Sequence, residues 1–232
     1  MFEQTRERLR RVRQQIARAA QRAGRSAEDV TLIAVSKTFD PTVVQQAVDA
    51  GVRDLGENRV QEAVPKASKV IGKVRWHLIG HLQSNKVKPA VETFPVIHTI
   101  DSVKLAERVD RIAGELGKRT TVLVQVDLAQ EPTKAGADER ELGSIVEALD
   151  SARNLEFRGL MSLPPFFESP ERTRPYFRKL REMLEDLNRN RTPERQLTEL
   201  SMGMSHDFEV AIEEGATMVR VGTAIFGRRI TH

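Results

Sequence analysis

Lys37 stands where the short apolar run Leu32-Ile33-Ala34-Val35-Ser36 ends and just before Asp40-Pro41, a pair that opens a helix. An amine at such a junction faces whatever pocket the strand end helps to frame. Lysine combines a flexible stem with a pKa that burial can lower, which is what an imine with a carbonyl group requires. A solvated loop lysine is the plainer local reading, so the assignment depends on residues far downstream. There, Ser201-Met202-Gly203-Met204-Ser205-His206-Asp207 joins a glycine-containing turn and two hydroxyls to a helical pattern at Phe208, Ala211 and Ile212. Backbone N–H groups at such a helix start favour a dianion. Val221-Gly222-Thr223-Ala224 adds a glycine that lets the backbone approach a ligand, and another hydroxyl donor. Each segment alone also describes an ordinary helix cap. Arg220 precedes Gly222 by two, on the face opposite Val219 and Val221, and if it faces inward it is a cation in need of a partner.

The elements that must position these residues alternate along the chain. Apolar runs fall near 30–35, 53–56, 75–79, 96–100, 121–127, 155–162, 197–202 and 218–222. Helices lie between them: Asp40-Pro41 leads into Val44, Ala47 and Val48 and stops at Gly51; Asp101 leads into Leu105, Val109, Ile112 and Leu116 and stops at Gly117. Ser169-Pro170 opens another, with Phe177, Leu180, Leu184 and Leu187 inward. This alternation predicts an α/β fold with a parallel sheet, and its eightfold repeat predicts a single closed (β/α)8 barrel of the TIM type over residues 1–232. Such barrels place function at the C-terminal ends of the strands, with phosphate commonly held after the seventh and eighth. A lysine on strand one, an arginine on strand eight and a phosphate cup between them describe a pyridoxal phosphate (PLP) site. The lysine holds C4′ as a Schiff base, the cup the 5′-phosphate, and the arginine the pyridine nitrogen.

Composition narrows the classes further. With 39% apolar residues in 232 the chain can build one sizeable core, and no linker divides it. It has no Cys, which excludes disulfides, thiolate metal sites and thiol catalysis and suits a reducing compartment. The N-terminus lacks the apolar core of a signal peptide, and no run of 18 apolar residues occurs, so a soluble cytoplasmic protein with no membrane association is expected. The net charge of +4 is local: residues 1–25 hold eight Arg and two Glu, which leaves 29 basic against 31 acidic residues elsewhere. Leu9, Val12, Ile16, Ala19 and Ala23 recur there at helical spacing, so residues 1–25 read as a helix docked on the barrel with arginines on its solvated face. Without a glycine-aromatic RNA-binding motif or zinc-finger spacing, that face does not point to nucleic acid.

Several ordered motifs carry a resemblance: Ile33-Ala34-Val35-Ser36-Lys37, Gly56-Glu57-Asn58-Arg59-Val60-Gln61-Glu62, Trp76 to Lys86, Gly159-Leu160-Met161-Ser162, Leu200 to Ser205, and Val219 to Gly227. From about residue 30 to its end the chain resembles the pyridoxal phosphate homeostasis proteins, whose barrel is similar to the N-terminal barrel of alanine racemase, the fold type III class. The resemblance implies PLP held covalently on Lys37, with Ser201, Met202, Gly222 and Thr223 as phosphate ligands and Arg220 at the ring nitrogen. It also implies that Asn58, Met161 and Ser162 line the pocket. Members of the family bind the cofactor without an established turnover of their own. His81 stands where the family commonly has proline, and Asp127 where asparagine is common. His77 and His81 are four apart, but Gly80 and the strand reading break the helix that a metal pair at that spacing needs, so no metal is expected.

Three functions are weighed. One is a PLP carrier that keeps a reactive aldehyde sequestered and releases it to PLP-dependent apoenzymes; the second is an amino-acid racemase; the third is a nucleic-acid-associated protein. The barrel consumes nearly all 232 residues, leaving no room for the C-terminal β-domain of a racemase. The single Tyr, Tyr176, falls on an outer helix, out of reach as a second base. A guanidinium stays protonated and keeps the pyridine nitrogen unprotonated, which weakens the ring as an electron sink. These features favour a monomeric carrier over the enzyme.

Overall fold

The computed structural model describes residues 2–129 and 135–227; Met1, residues 130–134 and residues 228–232, which the expected domain includes, lie outside the described residues. Eight parallel strands follow in chain order: β1 (Thr31–Val35), β2 (Asp54–Glu57), β3 (Arg75–Leu78), β4 (Val96–Ile100), β5 (Thr120–Val126), β6 (Leu155–Ser162), β7 (Glu199–Met204) and β8 (Met218–Val221). Each pairs with the next, and β8 returns to β1 with Ile33 opposite Arg220, which closes the barrel. The expected (β/α)8 architecture is therefore the one observed. Around it run α1 (Phe2–Arg22), α2 (Pro41–Asp49), α3 (Val60–Ala67), α4 (Val87–Thr93), α5 (Val103–Glu115), α6 (Leu142–Ser151), α7 (Arg174–Asn188), α8 (Phe208–Glu213) and the short α9 (Thr223–Phe226). No helix among the described residues is long and apolar enough to cross a membrane.

Element boundaries shift from the sequence reading where side chains intervene. Asp40 caps α2 through the Thr42 amide, as its position before Pro41 suggests. The cap of α5 is Ser102, one residue beyond Asp101, whose hydroxyl accepts from the Leu105 amide. Ser169-Pro170 opens a 3-10 turn over Pro170–Thr173, closed by the Thr173 hydroxyl on the Pro170 carbonyl at 2.6 Å, and α7 follows directly. β7 begins two residues later than its apolar run because the Asn188 amide binds both the N–H and the carbonyl of Leu197 and holds that residue outside the sheet.

Two interiors result. Between strands and helices lies a continuous apolar layer to which α1 adds Leu9, Val12, Ile16, Ala19 and Ala20; Ala23 falls past the end of that helix. α1 packs on α2, α8 and α9, and part of its arginine face is tied down, Arg22 to Glu209 and Glu213 and Arg13 to the Gly51 carbonyl. Inside the barrel, strand alternation and register place Ile33, Asp54, His77, Val96, His98, Leu123, Met161, Ser201 and Arg220 on the inward side. Val96, Leu123 and Met161 form a small apolar cluster there, and apart from Ile33 the other inward residues named are polar or charged.

Candidate functional site

At the C-terminal ends of the strands a cavity of about 520 Å³ opens between β1, β6, β7 and β8. Lys37, half-buried, lies in its wall two residues past β1. The backbone around that lysine is fixed tightly. The Ser36 amide donates to the Gly56 carbonyl at 3.0 Å, and the Ser36 carbonyl accepts from Lys66 Nζ at 2.7 Å. Lys66 Nζ also meets Glu57 Oε1 at 2.6 Å, and the Ser36 hydroxyl donates to the same oxygen at 2.7 Å. Glu57 and Lys66 are both buried, so a charged pair clamps the peptide that precedes Lys37. On the other side Thr38 has φ +68°, a strained conformation for a β-branched residue of the sort that persists where surrounding structure enforces it. Phe39 then stacks on Phe226 with centroids 4.9 Å apart, joining the loop after β1 to α9 after β8.

On the neighbouring strand, Arg220 projects from β8 into the cavity floor at 3% exposure. Its Nη1 donates to the Ser201 hydroxyl at 2.6 Å and its Nη2 to the Ser162 carbonyl at 2.8 Å. Burial lowers its pKa to about 10, leaving it cationic at neutral pH. Nearby, burial raises the Asp207 carboxyl, which accepts the Met204 amide at 2.7 Å. The turn after β7 and the start of α9, the two segments expected to hold a phosphate, meet at the cavity. Ser205 and His206 line it from one side and Gly222 and Thr223 from the other, and the Gly222 amide donates to the Ser205 hydroxyl at 3.1 Å. Gly203 makes that turn possible: its φ is +90°, and a Cβ there would sit 2.6 Å from the Ala211 Cβ and 2.9 Å from the Phe208 Cα.

Of the residues singled out from sequence, the structure brings Lys37, Asn58, Arg220, Gly222 and Thr223 to one cavity wall. Ser201 and Met202 lie beneath it: the Ser201 hydroxyl faces the barrel interior between Arg220 and His98, and the Met202 side chain packs in the outer apolar layer. Met161 fills the barrel interior with Val96 and Leu123. Ser162 is 1% exposed and its hydroxyl has no hydrogen-bond partner among the described residues, while its carbonyl accepts from Arg220. Sequence reasoning gave no role to the Glu57–Lys66 clamp or to His98. A charged residue inside the Gly56-Glu57-Asn58 motif and a histidine inside the apolar run 96–100 were the available signals. Leu163, Pro164, Phe166 and Met204 form an apolar rim, and Phe166 is 76% exposed. His206 holds that rim through Nε2, 3.1 Å from the Phe167 carbonyl and 3.0 Å from that of Glu168.

His77 and His81 do not converge: His77 points into the barrel, and His81 is at the surface, 3.3 Å from Asp101. Among the described residues no group of three or more metal-ligating side chains gathers. The donor set instead suits an organic ligand with a carbonyl and a dianion. The cavity supplies an amine, hydroxyls and backbone amides at the Ser205 and Gly222-Thr223 turns, and a guanidinium at the floor, so the residues present fit PLP.

Comparisons with known proteins agree in fold and in family. Residues 8–229 match the family described as alanine racemase, N-terminal domain. The "Pyridoxal phosphate homeostasis protein" of Aquifex aeolicus is 44% identical over 225 residues, covering 96% of this chain and 97% of that one. Its namesake in Escherichia coli K12 is 41% identical over 229 residues, covering 95% of each. Among solved structures, PipY of Synechococcus elongatus with PLP bound superposes with a TM-score of 0.86 at 42% identity, covering 97% of this chain and all of that one. Alanine racemase of Clostridium difficile 630 shares the fold alone, with a TM-score of 0.74 at 16% identity and 60% of its own chain covered.

Proposed function

The chain belongs to the pyridoxal phosphate homeostasis proteins, within the family of the alanine racemase N-terminal domain, and from that premise we propose that it binds PLP and passes it on to PLP-dependent apoenzymes. The observation that carries this reading is the convergence of Lys37, Arg220 and the Gly222-Thr223 cup on one cavity. Bound PLP supplies an aldehyde that an amine captures reversibly as a Schiff base. In this chain Lys37 provides that amine, and the clamped Ser36 peptide and strained Thr38 fix where its stem begins. Thr223 and the cup amides hold the phosphate. Arg220 donates to the ring nitrogen and, being cationic, keeps it unprotonated, which suits storage better than carbanion chemistry. Asn58 and Ser162 border the ring, and Met161 supports the floor from below.

The racemase reading has a specific observation against it. Tyr176, on the outer helix α7, lies against the Phe167 ring at a tilt and does not line the cavity. Besides Lys37 and Arg220, the titratable side chain in the cavity wall is His206, whose Nε2 already binds two carbonyls. A single-domain, cytoplasmic, monomeric carrier that binds neither nucleic acid nor metal completes the proposal. The test loads the protein with PLP and mixes it with a cofactor-depleted PLP enzyme. The recipient should regain activity as the carrier's imine absorbance falls. A parallel incubation with L- or D-alanine in heavy water should show no enzymatic exchange at Cα. Exchange at about 1 s⁻¹ or faster that is lost in Lys37→Ala would establish the racemase instead.

A further inference from the structure

Arg220 raises a physical problem that the cofactor reading leaves open. It is a buried cation, and its direct partners are a hydroxyl and a carbonyl, neither of which carries charge. A buried charge needs a counter-charge. The buried Asp207 carboxyl of the turn after β7 attracts it without a hydrogen bond, and the barrel interior supplies a second carboxylate at a distance. From Arg220 Nη1 the Ser201 hydroxyl lies at 2.6 Å; Ser201 Oγ is 2.8 Å from His98 Nδ1; His98 Nε2 is 2.9 Å from His77 Nδ1; and His77 Nε2 is 2.9 Å from Asp54 Oδ1. The carboxylate closes the chain at the N-terminal end of β2, where Arg75 meets it from the surface at 2.6 Å. Ser201, His98 and His77 are each 0% exposed, so no solvent competes along the way.

The two ends fix every proton between them. Asp54, as carboxylate, only accepts, so His77 donates through Nε2–H. Buried neutral, His77 then accepts at Nδ1, which makes His98 the Nε2–H tautomer as well. His98 accepts at Nδ1, and the Ser201 proton goes there because its oxygen already receives Arg220. All the hydrogen bonds therefore point from cation to anion, an arrangement in which aligned dipoles reinforce one another in a low-dielectric interior. The surroundings agree: burial holds both imidazoles below their ordinary value, and the hydrogen bonds from His77 and Arg75 outweigh burial to hold Asp54 low.

We propose that Asp54, His77, His98 and Ser201 form a directed hydrogen-bond chain through the barrel that positions Arg220 and adds a remote carboxylate to the nearby Asp207, coupling the cofactor pocket to the opposite face of the fold. The role rests on PLP binding at the cavity; the chain itself is observable without it. Asp54 and the histidines are positioning residues, since none of them lines the cavity that holds the ligand.

Long-range ¹H–¹⁵N NMR of the cofactor-free protein is the first measurement. Both His77 and His98 should be neutral Nε2–H tautomers at pH 7.5; a doubly protonated or Nδ1–H form of either would overturn the directed chain. Addition of PLP should then shift the Nε2–H signals of His98 and of His77, although neither touches the ligand, and Ser201→Ala should abolish the His77 response while PLP still binds. Asp54→Asn, which keeps an acceptor but removes the charge, should weaken PLP and phosphate-free pyridoxal alike by roughly 2- to 10-fold; Asp54→Leu should weaken both further. Bound PLP with unmoved His77 signals, or unchanged affinities in Asp54→Asn, would refute the coupling. Absent PLP absorbance, by contrast, would remove the cofactor reading and the coupling with it, while the tautomer result would still report on the chain.

Discussion

Lys66→Met is the most informative single perturbation of the scaffold. The Lys66 and Glu57 side chains are 6% and 0% exposed, 2.6 Å apart, and Glu57 Oε2 has no hydrogen-bond partner among the described residues. Without the lysine, Glu57 keeps only the Ser36 hydroxyl against a buried negative charge. Breaking one side of such a pair costs about 3–5 kcal/mol, because an uncompensated charge remains in a low dielectric. For a chain of this length each kcal/mol moves the melting temperature by about 2–4 °C, so a drop of roughly 6–20 °C is expected. Urea unfolding read by fluorescence and circular dichroism gives the free energy directly. Adding Glu57→Gln removes the second charge yet keeps an acceptor for Ser36, and should recover about 2 kcal/mol or more of the loss. The freed Ser36 carbonyl should also loosen Lys37, so PLP binds Lys66→Met more weakly at temperatures where it remains folded. A loss below about 1 kcal/mol in Lys66→Met, or no recovery in the double variant, would refute the clamp.

Burial holds the His77 and His98 imidazoles below their ordinary 6.5, so the unfolded chain takes up their protons first. Stability should therefore be full above about pH 6.5 and fall below it, by up to about 1.4 kcal/mol per pH unit for each histidine; urea midpoints at pH 7.5 and 5.5 check this, and His98→Gln should flatten the slope. Thr223→Ala removes a hydroxyl from the cup and should lower PLP affinity by about 10- to 100-fold while sparing pyridoxal, whereas Ser201→Ala, acting through Arg220, should weaken both ligands equally. Equal losses for the two ligands in Thr223→Ala would place that residue outside the phosphate site. Gly203→Ala combines a left-handed backbone with a Cβ 2.6 Å from that of Ala211 and should cost about 2–5 kcal/mol in urea unfolding.

The barrel was legible because each strand is an apolar run punctuated by capping residues, and such patterns survive without tertiary context. Lys37, Arg220 and the Gly222-Thr223 turn were legible for a related reason: the topology sends strand ends one and eight to neighbouring positions. Ser201 was harder. Its neighbours Gly203 and Ser205 form the turn at the cavity, but an irregularity in the β7–β8 register between Ser201 and Met204 leaves the Ser201 hydroxyl one layer down, facing Arg220 and His98. Periodicity shows which face a side chain takes and not how deep it lies. The interior chain was hidden for another reason, since His77, His98 and Asp54 come from three strands and meet only when the sheet closes. The Glu57–Lys66 pair joins a strand to the following helix nine residues on, a spacing that carries no signal in itself.

Reduction with borohydride followed by peptide mapping shows which lysine holds PLP. The protein incubated with PLP should show an imine absorbance that borohydride abolishes, and a single pyridoxyl adduct should map to Lys37. In Lys37→Ala that adduct should disappear while the cup retains some PLP noncovalently. A principal adduct on Lys66, Lys86 or any other lysine, or protein that takes up no PLP, would remove Lys37 from that role.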